Sequence, residues 1–263
     1  MNYTLLVIEC IILGLGAGLV YGVFGGGSGL IMTPGFYYVL RHFSLAHDYR
    51  MQMAIATTAT ASALLGISAA RVQWRHGNVD MKIFKRIVPG ILIGTLVAIA
   101  MLNIIPSGYL KRLFGVVVIA VATWLWLYRQ ERDTKTWSLA AFSNYILSTV
   151  IGFLWFLLGI SVFIVPYLHK CGIDLRRAIG CATLTSMVFS AIAGVLLIVT
   201  GLFQVGYSGG HLGFLSLPLL AIAVIPSAFA AHWGSRLSVK LPKRHLKIIY
   251  AGLLCGVGVL MLF

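Results

Sequence analysis

Of 263 residues, 60% are hydrophobic and only 10% are charged, against about 45–50% and about 25% in an ordinary soluble domain. That composition excludes a soluble globule. The 20 Lys+Arg against 6 Asp+Glu leave a formal charge of +14, yet there are too few polar positions to build a nucleic-acid surface, so no nucleic-acid partner is expected. Cys10, Cys171, Cys181 and Cys255 stand singly without ligand-type spacing, which argues against a disulfide framework or a zinc site. No metal and no other cofactor is expected.

The opening Met1-Asn2-Tyr3-Thr4 carries no basic residue and no small-residue cleavage site follows, so the first apolar run is expected to remain in the mature chain. A helix rises about 1.5 Å per residue and needs about 20 apolar residues to cross a bilayer. Runs of that kind are read at about 5–24, 52–70, 83–102, 109–128, 137–156, 178–201, 215–235 and 246–263. The expected fold class is an all-α polytopic membrane protein. The polar stretch 129–136 is too short to hold a soluble domain.

The chain repeats its punctuation. Pro34 and Pro166 lie 132 apart, Thr57, Thr58, Ser62 and Gly66 match Thr185, Ser186, Ser190 and Gly194 at 128, and Pro89 matches Pro226 at 137. Pro106, Leu110 and Lys111 then match Pro242, Leu246 and Lys247 at 136. Conserved order with small offset changes in loops predicts two copies of one unit. These are a membrane repeat over 1–130 and a second over 131–263, forming one integral membrane domain.

Each copy is expected to hold four long helices and a short apolar piece after the first: 30–40 behind Gly25-Gly26-Gly27-Ser28-Gly29, and 162–169 behind Gly159-Ile160-Ser161. As a helix, 30–40 reaches about 16 Å, roughly half a bilayer. If the chain continued in one direction, Lys and Arg would divide 8 against 12 between the two sides. If it turns back, Arg41, Arg50, Lys111 and Arg112 face one side and the other 16 of the 20 face the opposite side. The positive-inside rule makes the latter cytoplasmic. Two inverted repeats follow, with both termini outside, as in many secondary transporters.

The acids are Glu9 near the outer end of the first helix, and Asp48, Asp80, Glu131, Asp133 and Asp174 in loops; none reaches mid-membrane. Only His232 lies inside a span, close to Arg236, and it reads as an interfacial side chain rather than a proton carrier. Enzymatic chemistry is therefore not expected. Backbone and hydroxyls remain. The run Gly25 to Gly29 lets the main chain approach a ligand, and the helix behind it opens with unpaired N–H groups that suit an anion. Gly14, Gly18, Gly22 and Gly26 recur every four residues, a stripe that close helix packing alone would explain. Thr57, Thr58 and Ser62, with Thr185, Ser186 and Ser190, offer hydroxyls from two related helices, Thr58 and Ser62 sharing a face. Such groups also serve as helix glue.

The pattern Gly18-x3-Gly22-x2-Gly25-Gly26-Gly27-x6-Pro34, echoed at Pro166 and followed by Thr185-Ser186, resembles the TauE/SafE family of membrane transporters, as does the 77–80 loop Gly-Asn-Val-Asp. The resemblance covers essentially the whole chain. It implies transport of sulfite, sulfonates or related sulfur-containing anions in a bacterial inner membrane. It carries a site role onto Gly25, Gly26, Gly27, Pro34, Pro166, Thr185 and Ser186. Where the family repeats the glycine turn, this chain has Leu157-Leu158-Gly159-Ile160-Ser161, a bulkier tip that argues against a symmetric site and for a different substrate.

The expected function is a secondary transporter exporting a small sulfur-containing oxyanion by alternating access. The expected substrate-binding residues are Gly25, Gly26, Gly27, Ser28, Gly29, Pro34, Thr57, Thr58, Ser161, Pro166, Thr185 and Ser186. An anion channel and an intramembrane enzyme or assembly factor are the alternatives. The expected partners are the anion and the lipid bilayer, and the sequence leaves a homo-oligomer open.

Overall fold

The computed structural model describes residues 3–24, 26–43, 48–127, 142–158, 164–208, 210–240 and 243–262. Gly25, Ser161 and the basic loop 129–135 fall outside them. In chain order the helices are α1 (Tyr3–Phe24), α2 (Gly29–His42), α3 (Arg50–Arg75), α4 (Met81–Ile104), α5 (Ser107–Leu127), α6 (Phe142–Leu158), α7 (Ile164–Lys170), α8 (Leu175–Gln204), α9 (Leu217–Lys240) and α10 (Lys243–Leu262). Among the described residues, five stretches are long and apolar enough to cross a bilayer: Thr4–Val23, Arg50–Arg75, Met81–Leu102, Arg176–Gln204 and Leu217–Gly234. Ile12, Ile67, Val195, Ile225 and Phe229 point outward, a surface that only lipid can solvate.

Acidic side chains start two of the helices. The Asp80 carboxylate accepts from the N–H groups of Lys82 (2.9 Å) and Ile83 (3.4 Å), and Asp174 accepts from that of Arg176 (3.2 Å). Each carboxylate satisfies N–H groups that the helix itself leaves unpaired. The start of α3 is tied to the α4–α5 turn: the Met51 N–H donates to Ser107 Oγ (2.9 Å) and Gln52 Nε2 donates to the Ile105 carbonyl (3.1 Å).

α2 runs back along α1. Gly35 faces Leu13, Gly16 faces Ile31, and His42 Nδ1 lies 3.0 Å from Glu9 Oε1. The two helices form a hairpin with Gly26, Gly27 and Ser28 at its tip. Around it the long helices pack in pairs: α1 with α9, α4 with α6, α3 with α8 and α5 with α10. Glycines show their directions. Gly14 and Gly18 face Ala223 and Ser227, and Gly90 and Gly94 face Ser148 and Thr149, so α1–α9 and α4–α6 are parallel pairs. Gly66 faces Met187 while Gly194 faces Thr60, and Gly115 faces Leu262 while Gly258 faces Ile119. Hence α3–α8 and α5–α10 are antiparallel.

The Gly14 and Gly18 stripe is a packing device. Their α-carbons abut the backbone of α9 around Ala223 and Ser227, and Ser227 Oγ lies 2.8 Å from the Gly14 carbonyl and 2.7 Å from that of Ala223. A small residue and a hydroxyl together let two helices meet closely in lipid.

One region departs from the all-α expectation. Between α8 and α9, β1 (Tyr207–Ser208), β2 (His211–Leu212) and β3 (Leu215–Ser216) form an antiparallel sheet in that order. Gly206, Gly210 and Gly213 have φ of 74°, 88° and 59°, a left-handed backbone that glycine adopts without steric cost. The sheet packs on α3, α8 and α9, with Phe214 fully buried and its ring 5.5 Å from that of Tyr49.

Candidate functional site

Three elements meet near the middle of α3. The tip of the α1–α2 hairpin is shaped by Gly27, whose φ of 87° a larger residue rarely adopts. The Gly26 N–H closes α1 by donating to the Tyr21 carbonyl (3.1 Å). Ser28 then starts α2 without capping it through its side chain; its Oγ lies 2.7 Å from Ser62 Oγ on α3 instead. Ser62 is twelve residues from Arg50 and thirteen from Arg75, about 18 to 20 Å from either end of α3. The hairpin tip thus lies beside the middle of α3.

Beside this contact is a small cavity of about 20 Å³ lined by Thr33 of α2, Ile55, Thr58, Ala59 and Ser62 of α3, Trp155 and Phe156 of α6, and Ser190 and Ala193 of α8. That is room for about one water molecule. The lining combines four hydroxyls with two aromatic side chains, and the Trp155 ring stands edge-on to that of Phe189 at 6.2 Å.

The hydroxyls of the Thr57-Thr58 and Thr185-Ser186 pairs divide alike into one that is bonded and one that is not, although the bonded partners differ. Thr57 and Thr185 are both committed to backbone: Thr57 Oγ1 accepts the Ser216 N–H at 3.1 Å, and Thr185 Oγ1 donates to the Cys181 carbonyl at 2.7 Å. Thr58 Oγ1 and Ser186 Oγ are both buried without a hydrogen-bond partner. A buried hydroxyl left unpaired costs about 1 to 3 kcal/mol. Ser62 and Ser190, one turn further along their helices, both line the cavity.

Of the remaining expected positions, Pro34 leaves this cluster. Gly29 opens α2 and is buried. Pro34, one residue beyond Thr33, lines a different groove, between α1, α2 and α10. Pro166 falls within α7, while Gly25 and Ser161 lie outside the described residues. Thr33, Ile55, Trp155 and Phe156 were not anticipated. For Trp155 the signal was present, since the residue 132 positions earlier is Val23. Among the described residues no three His, Cys, Asp or Glu side chains converge; the polar side chains lining the cavity are Thr33, Thr58, Ser62, Ser190 and the indole of Trp155.

Known proteins place the chain. A family model described as Sulfite exporter TauE/SafE matches residues 10–261. A probable membrane transporter protein of Haemophilus influenzae is 27% identical over 265 residues, covering 97% of each chain. One of Methanocaldococcus jannaschii is 24% identical over 273 residues, covering 99% of this chain and 97% of its own. The Bacillus subtilis probable membrane transporter protein YjnA is 23% identical over 266 residues, covering 95% and 98%. No solved structure matches. With a hydroxyl-lined cavity among apolar helices and a family match over nearly its whole length, the chain belongs to the TauE/SafE sulfite exporter family and is a multi-pass membrane transporter.

Proposed function

We propose that the chain is a secondary transporter that exports a small sulfur-containing oxyanion, sulfite or an organosulfonate, by alternating access. The carrying observation is the pair Thr58 Oγ1 and Ser186 Oγ, buried without partners on two equivalent helices. Uncharged donors of this kind hold an oxyanion through hydrogen bonds while leaving no buried cation to be compensated when the site empties. The N-terminal end of α2 adds a positive dipole at the same depth. A cavity with room for about one water favours a carrier over an open channel, because an anion of several heavy atoms enters only if a wall moves.

The two halves are inverted repeats in this reading. A two-fold axis in the membrane plane maps α1 onto α6 and α9 onto α4. It therefore turns the parallel pair α1–α9 into the parallel pair α6–α4. It maps α3–α8 and α5–α10 onto themselves and requires them to be antiparallel, as their glycine contacts are. A parallel repeat would make them parallel. With the loops near 71–86 and 236–247 cytoplasmic by the positive-inside rule, both termini face outside, in the bacterial inner membrane.

Flux into sealed vesicles, with sulfite, sulfoacetate, taurine and sulfate compared, tests the substrate. Saturable uptake of a sulfur anion with counterflow is expected. Movement of none of the four overturns the substrate class, and flux without counterflow makes the protein a channel. Single-cysteine labelling tests the topology: Asn78→Cys and Lys243→Cys should react from the same side, and reaction from opposite sides rejects the inversion.

A further inference from the structure

Away from the hydroxyl cluster, a groove of about 790 Å³ runs between α1, α2 and α10. Its walls are apolar, among them Ile12, Leu13, Ile31, Val39, Val257 and Leu260, and its polar residues Glu9, Arg41 and His42 gather at the hairpin end away from the tip. From Ile31 to His42 the groove follows α2 for eleven residue steps, about 16 Å. That is half of a hydrocarbon layer about 30 Å thick, the depth of a single leaflet.

The charged end is rich in cations. Lys111 of α5 is only 8% exposed, with Nζ 5.7 Å from the ring centroid of Tyr37 and 5.8 Å from that of Tyr38. The charges of Arg41 and Arg112 act on it. The Tyr38 ring is itself part of the groove wall, and its hydroxyl donates to the Leu260 carbonyl of α10. Against these three cations stands Glu9, which is bonded to His42. An apolar slot as deep as one leaflet, with Arg41 at its end and Lys111 behind, matches the form and complements the charge of a lipid with an anionic headgroup.

We infer that this groove is a binding site for an anionic phospholipid, one acyl chain lying along α2 and the phosphate meeting Arg41 with Lys111 and Arg112 behind it. Two of the groove's walls are the two arms of the hairpin, so the bound lipid braces the segment whose tip carries Ser28.

The test is lipid retention by the purified protein in an equal mixture of phosphatidylglycerol and phosphatidylcholine, read by native mass spectrometry. Phosphatidylglycerol should be retained preferentially. One cation near a charged lipid is worth about fivefold in affinity, so Arg41→Gln should reduce the preference by about that factor and Glu9→Gln should raise it. Arg41 is exposed, and an unchanged melting temperature in phosphatidylcholine alone verifies that its replacement leaves the fold intact. Ile12→Trp, which narrows the slot, should lower retention of both lipids. Equal retention of the two lipids by the parent protein, or a preference that survives Arg41→Gln, overturns the inference. Displacement of the lipid by millimolar glycerol phosphate also overturns it, because the site would then recognise free phosphate without an acyl chain.

Discussion

The N-terminal and C-terminal halves of the chain fill the centre differently. In the first, a glycine tip brings Ser28 to 2.7 Å from Ser62 on α3. In the second, α6 contributes Trp155 and Phe156, both 4% exposed, to the wall of the same cavity. Meanwhile α3 and α8 remain alike to the level of single hydroxyls: Thr57 and Thr185 bonded, Thr58 and Ser186 unpaired, Ser62 and Ser190 at the cavity. On the proposed repeat, the likeness holds at the hydroxyls of α3 and α8 and lapses where α6 supplies aromatic bulk. If the proposed site is here, an anion would meet both hydroxyl donors and an aromatic surface.

The largest expected effect comes from making the second half as small as the first. Trp155→Ala removes a buried aromatic that packs on Phe189, and such truncations cost about 3 to 5 kcal/mol. Melting temperature should fall, and the sulfonates transported should shift toward larger ones as the cavity widens. Trp155→Phe should retain most of the stability. If Trp155→Ala moves the same anions with the same relative rates, the aromatic wall does not set size.

Making the first half as bulky as the second should separate packing from transport. Gly14→Leu places a Cβ 2.5 Å from the Ala223 carbonyl oxygen and 3.0 Å from Pro226 Cγ, and overpacking typically costs about 1 to 3 kcal/mol. Folded yield should drop. Gly27→Leu alters the tip at a φ of 87° and should abolish transport while folded protein still reaches the membrane. Normal flux by Gly27→Leu would leave the glycine run as a packing device throughout.

Adjacent hydroxyls on α3 sharpen the comparison. Thr57→Val deprives the buried Ser216 N–H of its acceptor and should cost about 1 to 3 kcal/mol of stability. Thr58→Val removes a hydroxyl that has no partner, so stability should hold or rise while anion affinity weakens by about 0.5 to 1.5 kcal/mol. Ser186→Ala should follow Thr58→Val. Thermal melting and equilibrium binding of a sulfonate, measured on the same samples, read both signs. A Thr58→Val protein that loses stability but binds normally would make Thr58 helix glue.

These distinctions explain what the sequence could and could not yield. Hydrophobic runs marked the helices because lipid demands about twenty apolar residues wherever a helix crosses. The matched Thr-Thr and Thr-Ser pairs marked α3 and α8 because their punctuation repeats. Which hydroxyl of each pair is spent on backbone was not legible, since the partners of Thr57 and Thr185 are a strand N–H 159 residues away and a carbonyl of its own helix. The strands over 207–216 escaped for a similar reason. They are two residues long, too short for alternation to register, and are held by three glycine turns and by packing on α3, α8 and α9.

That small sheet carries the smallest expected effect. His211 on β2 lies outside the spanning helices, and burial holds its imidazole below the ordinary value of 6.5; its Nδ1 is buried without a partner. Below pH 6.5 the unfolded chain therefore binds a proton that the folded chain resists, so stability should decline as pH falls from about 7 to 5. His211→Gln should flatten that slope relative to the parent. Sulfonate affinity should stay level over pH 6 to 8, because the hydroxyls of Thr58 and Ser186 do not titrate there and a sulfonate keeps its charge. A stability slope unchanged by His211→Gln would assign the titration to another group. A sulfonate affinity that collapses over that range in the parent but not in His232→Gln would bring a histidine of α9 into the site.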